Sequence, residues 1–304
     1  MKKIVDLSKW NVIKSYAELK NAGVDGAIVK AINSSNGIDG RFAEHCSGLR
    51  KANIPIIGAY NYLYANTIGK ATAVAPIFMK LCKDQGIKTA WLDIEDACMK
   101  NLGSRIADII NIYVRYAKMN DMYVGIYSGS SFYNSYIRPY EYKFEAKLPV
   151  WIARYPSSDK EYKPTDTIPS TTWLPTGIDV DGWQYTSKCK IPKACNGYLD
   201  LSVWWEDTPF VNLTPSDIIQ KNPFTEPTRN VTVGCMGNDA NWVLWYLWKF
   251  GKLCDSYGNA DSTRINGMIG DENYNSIKEV QTILGLEADG IVGKITRSTW
   301  KKMC

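Results

Sequence analysis

Two carboxylates stand one residue apart near the middle of the chain, at the end of an apolar run. The run T-A-W-L-D-I-E-D, residues 89–96, has the composition of a buried β-strand that closes on Asp93 and Glu95. In an extended segment, side chains two positions apart point to the same face, so these carboxyl groups should lie side by side. In apolar surroundings they cannot both ionise without cost, and one should keep its proton near neutral pH. Such a pair could perform acid-catalysed cleavage of a glycosidic bond, unless it merely leads into a solvated loop.

Histidine usage excludes several other kinds of hydrolase. The chain has 1 histidine, His45, whereas zinc amidases need several histidine ligands and Ser-His or Cys-His hydrolases need a positioned imidazole. His45 lies in an amphipathic helical stretch, residues 41–50, where a structural role is favoured. We therefore expect catalysis to depend on carboxylates, without a metal or another cofactor.

The cysteines indicate neither a metal site nor a disulfide framework. There are 8 of them, without the C-x-x-C pairs or spacings typical of metal ligands, and we expect most to be reduced. Cys189 and Cys195 are the pair that could form a bridge.

Hydropathy and charge limit the surroundings in which the protein acts. No stretch approaches the roughly 18 apolar residues of a membrane span, so stable membrane insertion is not expected. Asp6 and Lys9 interrupt the start of the chain, which predicts synthesis in a host cytoplasm without a cleavable signal. Residues 1–206 carry 26 basic against 20 acidic residues, and the remainder carries 10 against 11. This mild positive charge suits an anionic cell wall and is too weak to indicate nucleic acid.

The first two thirds of the chain alternate between strand-like and helical patterns. Helices are predicted over 15–22, 42–52, 70–85 and 104–120, whereas the last strands are joined by segments rich in proline and glycine. Alternating strands and helices indicate parallel β-α units and an α/β, TIM-like closed barrel of eight strands with about five helices. The eight predicted strands cover residues 3–8, 26–31, 54–62, 89–95, 122–129, 149–155, 181–186 and 197–202.

Polar and aromatic residues recur where these strands end. In barrels of this type the carboxyl ends of the strands form one face, and catalysis takes place there. Any one of these residues could simply face a loop, but their recurrence over consecutive strands indicates a common site. The candidates are Asp6, Tyr60, Tyr62, Asp93, Glu95, Tyr127, Trp151, Arg154, Gln184 and Asp200.

The order and spacing of several short motifs resemble glycoside hydrolase family 25, the Chalaropsis-type lysozymes. The resemblance covers roughly residues 1–205, and it implies an N-acetylmuramidase that cuts the β-1,4 bond between N-acetylmuramic acid and N-acetylglucosamine. It also implies that Glu95 is the proton donor, that Asp93 is its partner, and that Asp6 and Asp200 are the acids of the first and last strands. The motifs are V-D-L-S-K-W, G-A-Y-N-Y, W-L-D-I-E-D, G-I-Y-S, W-I-A-R-Y, G-W-Q-Y-T and Y-L-D-L-S.

Two departures from the family pattern affect the expected substrate contacts. Asn61 stands where many members have histidine, and Ser202 stands where many have asparagine. Both replacements keep hydrogen-bonding capacity, so Asn61 is retained as a candidate substrate contact. Aromatic residues would give flat platforms for sugar rings, although each could equally belong to the core. They are Tyr60, Tyr62, Tyr127, Trp151 and Trp183.

The resemblance and the sugar chemistry together suggest a mechanism. Muramic acid carries a 2-acetamido group whose carbonyl oxygen can attack the anomeric carbon once the leaving oxygen is protonated. Glu95 would then act first as an acid and later as a base, while Asp93 orients the acetamido group. Asp200 could instead be a direct nucleophile, or it could stabilise the oxocarbenium-like state, and the sequence leaves these alternatives open.

The composition changes after residue 206. Residues 207–230 contain 4 of the 13 prolines and indicate a linker. Residues 231–304 are predicted to form a small domain of three helices. The segments N-G-M-I-G and D-G-I-V-G, which begin at Asn266 and Asp289, each open a helix, and Ser276 with Glu279 has the spacing of a capping box. The repeat resembles the peptidoglycan-binding domains found on wall hydrolases.

A tryptophan-rich segment forms the first predicted helix of this domain. Asn238 or Asp239 could cap it, and its three tryptophans, Trp242, Trp245 and Trp248, lie three residues apart. Most of this helix must be core, but we expect one tryptophan to be exposed and to stack on glycan or mediate self-association.

These patterns predict a two-domain bacteriolytic muramidase that acts on bacterial peptidoglycan. A protein made in the cytoplasm without a signal peptide fits a phage endolysin, which is released through a membrane hole made by a separate protein. A bacterial autolysin exported by another route is the alternative. A non-catalytic wall lectin would have no reason to keep the four acids. A chitinase or glucosaminidase would use the same fold on a different bond.

Overall fold

The N-terminal part of the chain is a closed eight-stranded barrel, as predicted. The computed structural model describes residues 1–205, 222–253 and 264–303. The strands follow one another around the barrel in chain order, and β1 closes it against β8. Their bounds are β1 Lys2–Leu7, β2 Gly26–Ile32, β3 Ile56–Tyr62, β4 Thr89–Asp93, β5 Tyr123–Gly129, β6 Val150–Ala153, β7 Gly182–Lys190 and β8 Tyr198–Trp204.

The last strand departs from the parallel pattern. β1 to β7 pair in parallel, whereas β8 runs antiparallel to both β7 and β1. The chain enters β8 directly from β7 through a short connection, which permits an antiparallel pair and leaves no room for a crossover helix. The first half of β8 therefore lies at the same face of the barrel as the carboxyl ends of the other strands.

Helices cover the outside of the barrel at the predicted positions. Hydroxyl side chains begin two of them, because Ser15 and Thr67 accept hydrogen bonds from the backbone N–H groups three residues later. α5 is short and continues as irregular helical turns to Lys143. The helix bounds are α1 Tyr16–Asn21, α2 Phe42–Lys51, α3 Ile68–Asp84, α4 Arg105–Met119 and α5 Ser130–Phe132.

Aromatic side chains fill the inside of the barrel and form the floor on which the site stands. Trp91, Trp151 and Trp204 are buried there, with ring centroids 5.4 to 6.0 Å apart. Glycines on the neighbouring strands make room for them, since a Cβ atom at Gly125 would lie 2.3 Å from the Trp91 ring. The floor is consequently rigid, because such a closely packed arrangement has few alternatives.

Three further helices lie in the described part of the C-terminal region. Each follows a G-x-x-G turn, and the first glycine of each turn, at positions 234, 267 and 290, has a positive φ angle. The sequence had indicated only two of these repeats. Asn266 and Asp289 stabilise the second and third turns, because each side chain accepts a hydrogen bond from the backbone two residues later. The bounds are α6 Asn238–Lys249, α7 Asp271–Ile283 and α8 Lys294–Met303.

Two local predictions for this region were wrong. The predicted capping box at Ser276 lies inside α7, because that helix already begins at Asp271, where the Asn273 side chain accepts from the Gly270 N–H. The Ser276 hydroxyl instead donates to backbone carbonyls. Neither Asn238 nor Asp239 caps α6, since Gly237 occupies the cap position without a side-chain bond.

The tryptophans of α6 are more buried than predicted. Trp242 and Trp245 are buried in the core of this region, and Trp248 is half-buried beneath the Lys249 ammonium, which lies 4.8 Å from its ring centroid. None of the three is fully exposed, because tyrosine and phenylalanine side chains of the same small core pack around them.

The C-terminal helices contact the barrel on its outer surface. Met119 at the end of α4 packs against the cores of both regions. Since α4 runs back from the carboxyl end of β4, this contact lies toward the end of the barrel opposite the strand carboxyl ends. Most of the predicted linker, residues 207–221 of 207–230, lies outside the described residues.

Two other expectations concern the cysteines and the membrane. Cys189 and Cys195 are free, buried thiols and form no bridge. Across the described ranges, no helix combines the length and apolar character that a membrane span needs.

Candidate active site

A polar pocket opens at the carboxyl ends of the barrel strands. It has a volume of 290 Å³ and brings together all four predicted catalytic acids. It also contains most of the predicted substrate contacts. The side chains that line it are Asp6, Ser8, Trp10, Lys30, Tyr60, Tyr62, Asp93, Glu95, Tyr127, Trp151, Tyr155, Gln184 and Asp200.

Three of the acids enter the pocket directly from strands. Asp6 and Asp200 face each other across the β1–β8 pair, where they are register partners. Asp93 ends β4 and is 5% exposed. Asp200 reaches this face only because β8 is antiparallel, so a residue near the start of the strand meets the carboxyl end of β1.

Glu95 stands just beyond the end of β4 and is held there by the backbone before it. The Ile94 N–H donates to the Tyr127 carbonyl at 2.9 Å, and the Ile94 carbonyl accepts from the Ser128 hydroxyl at 2.6 Å. These bonds tie the segment to β5 although the regular strand has ended. Glu95 is the acid of this group that is exposed to solvent, at the mouth of the pocket.

Burial and mutual repulsion favour the protonated forms of these acids. Burial, and next the neighbouring Asp200, raise the pKa of Asp6 well above its usual range. Burial, and next Glu95, do the same for Asp93. Desolvation by the pocket walls also raises the pKa of Glu95, and burial raises the pKa of Asp200 to about 6. Near neutral pH the group therefore retains protons that isolated carboxylates would have lost.

One lysine supplies the opposing charge. Lys30, at the end of β2, lies 4.7 Å from the ring centroid of Tyr62 and 5.3 Å from that of Tyr60. Its ammonium lowers the pKa of Asp93 and Glu95, although burial outweighs this effect. Lys30 thus limits how many protons the acids hold.

One oxygen of Asp93 has no partner within the protein. Asp93 Oδ1 is buried and forms no hydrogen bond with the described residues. A buried carboxylate oxygen without a donor is costly, so this oxygen is suited to accept a donor from a bound molecule.

The comparisons with known proteins cover most of the barrel. The sequence model of glycosyl hydrolases family 25 matches residues 5–194, which contain Asp6, Asp93 and Glu95. The chain belongs to glycosyl hydrolase family 25. Asp200 lies just beyond the matched segment.

Individual relatives of this family 25 protein resemble its barrel. Lysozyme M1 of Streptomyces globisporus is 27% identical over 199 residues, which are 62% of each chain. The present chain thus spans less than two thirds of that relative's length. The catalytic domain of an endolysin from a bacteriophage of Listeria monocytogenes matches 68% of this chain and 95% of its own, with 24% identity and a TM-score of 0.55. A glycosyl hydrolase 25 of Streptococcus pneumoniae matches 67% of this chain and 87% of its own, with 28% identity and a TM-score of 0.51.

Three residues predicted as substrate contacts or platforms in the family 25 barrel lie elsewhere. Asn61 is fully buried on the outward face of β3, where its amide donates to the Tyr113 hydroxyl at 3.1 Å. Arg154 is not among the lining residues, and its guanidinium lies over the Trp173 ring. Trp183 is fully buried in the outer core, with its N–H bonded to the Arg154 carbonyl. Successive side chains of a strand point to opposite faces. Asn61 and Trp183 therefore point away from the pocket, because each is next to a residue that faces it.

Sequence reasoning missed four of the lining residues. Ser8 and Trp10 belong to the V-D-L-S-K-W motif, Tyr155 ends the W-I-A-R-Y motif, and Lys30 is the last residue but one of the predicted second strand. Their common signal is a position at or just after a strand end. The same rule that selected Asp6 and Arg154 could have found them.

His45 has the structural role predicted for it. It is fully buried behind β1, where its Nδ1 meets the Tyr16 hydroxyl at 2.8 Å and its Nε2 meets the Ser8 carbonyl at 2.9 Å. Burial lowers its pKa, which keeps the ring neutral. His45 thereby supports the turn that carries Ser8 and Trp10.

The raised pKa of Asp200 should make stability depend on pH. Between its unfolded pKa and its folded pKa of about 6, the folded protein binds more protons than the unfolded chain, so stability falls as pH rises through this window. Asp200→Asn should remove this loss. We expect the variant to gain about 2 kcal/mol relative to wild type between pH 4 and pH 7.5, measured by urea unfolding at both values. Asp121→Asn, at an exposed turn, should show no such gain; equal gains in both variants would contradict the prediction.

Proposed function

We propose that this family 25 protein is an N-acetylmuramidase that hydrolyses the β-1,4 bond between N-acetylmuramic acid and N-acetylglucosamine in bacterial peptidoglycan. The observation that carries the proposal is that Glu95 and Asp93 differ in exposure and in hydrogen bonding. Glu95 reaches solvent at the mouth of the pocket with a raised pKa, while Asp93 lies beneath it with an unpartnered oxygen. A proton donor beside a buried acceptor is the arrangement that substrate-assisted cleavage requires.

The chemical steps follow from these positions. Asp93 Oδ1 accepts the N–H of the muramyl 2-acetamido group and directs its carbonyl oxygen at the anomeric carbon. That oxygen forms a bond to the anomeric carbon as the glycosidic C–O bond breaks, and the Glu95 proton passes to the leaving oxygen. Water then attacks the anomeric carbon as its bond to the acetamido oxygen breaks, which restores the acetamido group, and the water gives a proton back to Glu95. Asp200 supplies negative charge near the oxocarbenium-like state.

Product analysis tests the bond specificity directly. Purified walls would be digested, reduced with borohydride, and analysed by mass spectrometry for the sugar at each new reducing end. A muramidase yields reduced muramic acid, whereas a glucosaminidase yields reduced glucosamine. Binding to walls without any new reducing ends would favour a lectin, and cleavage of chitin oligomers in preference to walls would favour a chitinase.

Trp10 is proposed as a sugar platform at the rim. It lines the pocket yet is 77% exposed, and the turn that carries it is held by a bond from the Ser8 N–H to the Asn11 side chain. Trp10→Ala should raise KM about tenfold, since an aromatic contact contributes about 1.5 kcal/mol, and should leave kcat nearly unchanged. Steady-state kinetics on soluble glycan strands would measure this.

A tyrosine elsewhere on the barrel provides the control for Trp10. Tyr142 is 78% exposed and does not line the pocket, so Tyr142→Ala should leave both constants unchanged. A Trp10→Ala protein with lowered kcat and unchanged KM would show that Trp10 acts on the chemical step and is not a platform.

We further propose that residues 231–304 bind the cell wall. Their G-x-x-G turns place Met236 and Met268 next to each other, 66% and 49% exposed. Adjacent exposed apolar side chains in so small a region indicate an interaction surface. The region contacts the barrel toward the end opposite the pocket, so wall binding would leave the pocket free and raise the local substrate concentration.

Wall binding can be separated from catalysis in the Glu95→Gln background. In that background, Met236→Lys combined with Met268→Lys should weaken retention on purified walls about tenfold, because burial of one such side chain contributes about 1.5 kcal/mol. Tyr142→Lys is the matched control, since Tyr142 is 78% exposed on the barrel and lines neither the active-site pocket nor the cleft beside the C-terminal helices. Equal retention of all variants in a pull-down would contradict the proposal, and a loss of dimers on sedimentation would indicate self-association instead.

A further inference from the structure

Arg154 stands beside the pocket rather than in it. It follows β6 at the pocket face of the barrel, and the next residue, Tyr155, lines the pocket. The Arg154 side chain is half-buried. Within residues 1–205, 222–253 and 264–303, no carboxylate lies within ion-pair distance of its guanidinium, which instead stands 5.7 Å from the centroid of the Trp173 ring.

Backbone contacts to β7 fix the position of this arginine. The Arg154 N–H donates to the Gln184 carbonyl at 3.0 Å, and the Arg154 carbonyl accepts from the Trp183 indole N–H at 2.8 Å. Both partners belong to β7, and the Gln184 side chain lines the pocket. The backbone of Arg154 is therefore held next to the pocket wall, although the regular strand has ended at Ala153.

The Trp173 ring supports the guanidinium from one side. Trp173 ends a short 3-10 turn, Thr171–Trp173, and the Ser170 side chain caps this turn by accepting from the Thr172 N–H at 3.3 Å. The indole is 43% exposed. A guanidinium over an aromatic ring is attracted by its π electrons and keeps N–H donors for an acceptor on the side away from the ring. The pair therefore presents positive charge and hydrogen-bond donors at the rim of the pocket.

The acidic residues of the same connection are all engaged elsewhere. Residues 154–181 join β6 to β7 and contain 5 acids, of which three pair with lysines and two accept backbone N–H groups. A guanidinium that the described chain leaves without a carboxylate is suited to bind an anionic group of a ligand. The pairs are Asp159 with Lys188, Glu161 with Lys190, Asp179 with Lys147, Asp166 with the Lys163 N–H and Asp181 with the Val150 N–H.

We propose that Arg154 and Trp173 form a subsite for a carboxylate on the side chain of muramic acid. The inference rests on the proposed function and adds a substrate class to it. Muramic acid differs from glucosamine by a lactyl ether, whose carboxyl group is either free or linked to the stem peptide of the wall, and that peptide carries carboxylates of its own. These groups extend away from the sugar ring, so they can reach a site beside the pocket while the ring occupies the pocket. A chain of N-acetylglucosamine alone has no such group.

Ligand binding to the full chain tests the subsite in the Glu95→Gln background, where cleavage should be negligible. The probes are two forms of the disaccharide N-acetylglucosaminyl-N-acetylmuramic acid linked to alanyl-glutamate, one with free carboxylates and one with every carboxyl group converted to an amide. Arg154→Gln should weaken binding of the charged form about tenfold, the loss expected for one charge-assisted hydrogen bond. Binding of the amide form should not change. Isothermal titration calorimetry would measure both, and an unchanged affinity for the charged form would overturn the proposal.

A second arginine and a third ligand define the cause of any loss. Arg50→Gln removes the same charge from the end of α2, at the opposite end of the barrel, and should leave both affinities unchanged. An equal loss in Arg50→Gln and Arg154→Gln would show that net charge alone matters, and would overturn the subsite. The disaccharide with a free lactyl carboxylate and no peptide distinguishes the two sources of the carboxylate. A loss with this ligand also places the lactyl group on Arg154, whereas a loss only with the peptide form places the stem there.

Salt and kinetics separate a binding role from a structural one. Added sodium chloride should weaken binding of the charged ligand to the parent protein more than to Arg154→Gln, because salt screens a charge only where it contributes. With Glu95 restored, Arg154→Gln should raise KM for soluble glycan strands that carry stem peptides and leave kcat unchanged, whereas a structural defect would lower kcat. If wild type cleaves no walls, the proposed function fails, but the calorimetry still decides the subsite. If wild type cleaves walls and Arg154→Gln changes neither KM nor binding, only the subsite fails.

Discussion

Glu95→Gln should reduce kcat on purified walls about 10³-fold, the size expected when a general acid is removed. Glutamine keeps the shape of the side chain at the pocket mouth but has no proton to give to the leaving oxygen. Binding should persist, because Glu95 is exposed and the floor of the pocket does not depend on it. Turbidity loss and release of reducing ends would measure cleavage, and a wall pull-down would measure binding.

An activated substrate distinguishes loss of the acid from general damage. An aryl glycoside whose leaving group needs no proton should release its phenol in the first turnover at nearly the wild-type rate. The alkaline limb of the wild-type profile should also follow Glu95, because activity falls as pH rises through its raised pKa and the proton is lost. A Glu95→Gln protein that clears walls as fast as wild type would show that the D-x-E segment is not the catalytic centre.

Asp93→Asn should lower kcat about 10²-fold, within the range for loss of one preorganised electrostatic contact. Asparagine fills the same space, but unlike a carboxyl group it cannot become negatively charged when positive charge develops on the acetamido N–H. KM should change little, because the ring contacts remain. Steady-state kinetics on soluble glycan strands would measure both constants.

The next acid along the chain is the matched control for Asp93. Asp96 accepts bonds from the Tyr62 hydroxyl and the Cys98 N–H outside the pocket, and asparagine can make the latter bond equally well. Asp96→Asn should therefore retain most activity. Similar losses in both variants would indicate that the segment tolerates no change, and would remove the support for a special role of Asp93.

The barrel was predictable because its strands are buried on both faces. Continuous apolar runs such as residues 89–92 mark strands covered by helices outside and filled by side chains inside. Helices such as α4 were predictable from their apolar stripe and polar outer face. Only the second and third G-x-x-G turns of the C-terminal region were recognised in the sequence. The first copy, residues 234–237, lacks the asparagine or aspartate that precedes the other two.

The direction in which individual side chains point was harder to predict from the sequence. Asn61, Trp151 and Trp183 all looked like polar or aromatic residues at strand ends, yet only Trp151 lines the pocket. A shift of one residue along a strand moves a side chain to the other face. When both faces of a strand are apolar, its composition does not reveal which face points into the barrel.

By itself, the sequence determined the eight strands, the barrel class and the identity of the acidic residues, because these depend on local periodicity and on residue chemistry. Only the tertiary structure decided that β8 is antiparallel, which brings Asp200 against Asp6. It also decided that Gln184 bonds to Asp6 rather than facing solvent. The physical reason is that pKa values and hydrogen-bond directions depend on neighbours distant in the chain, and barrel closure is what makes residues 6, 184 and 200 neighbours.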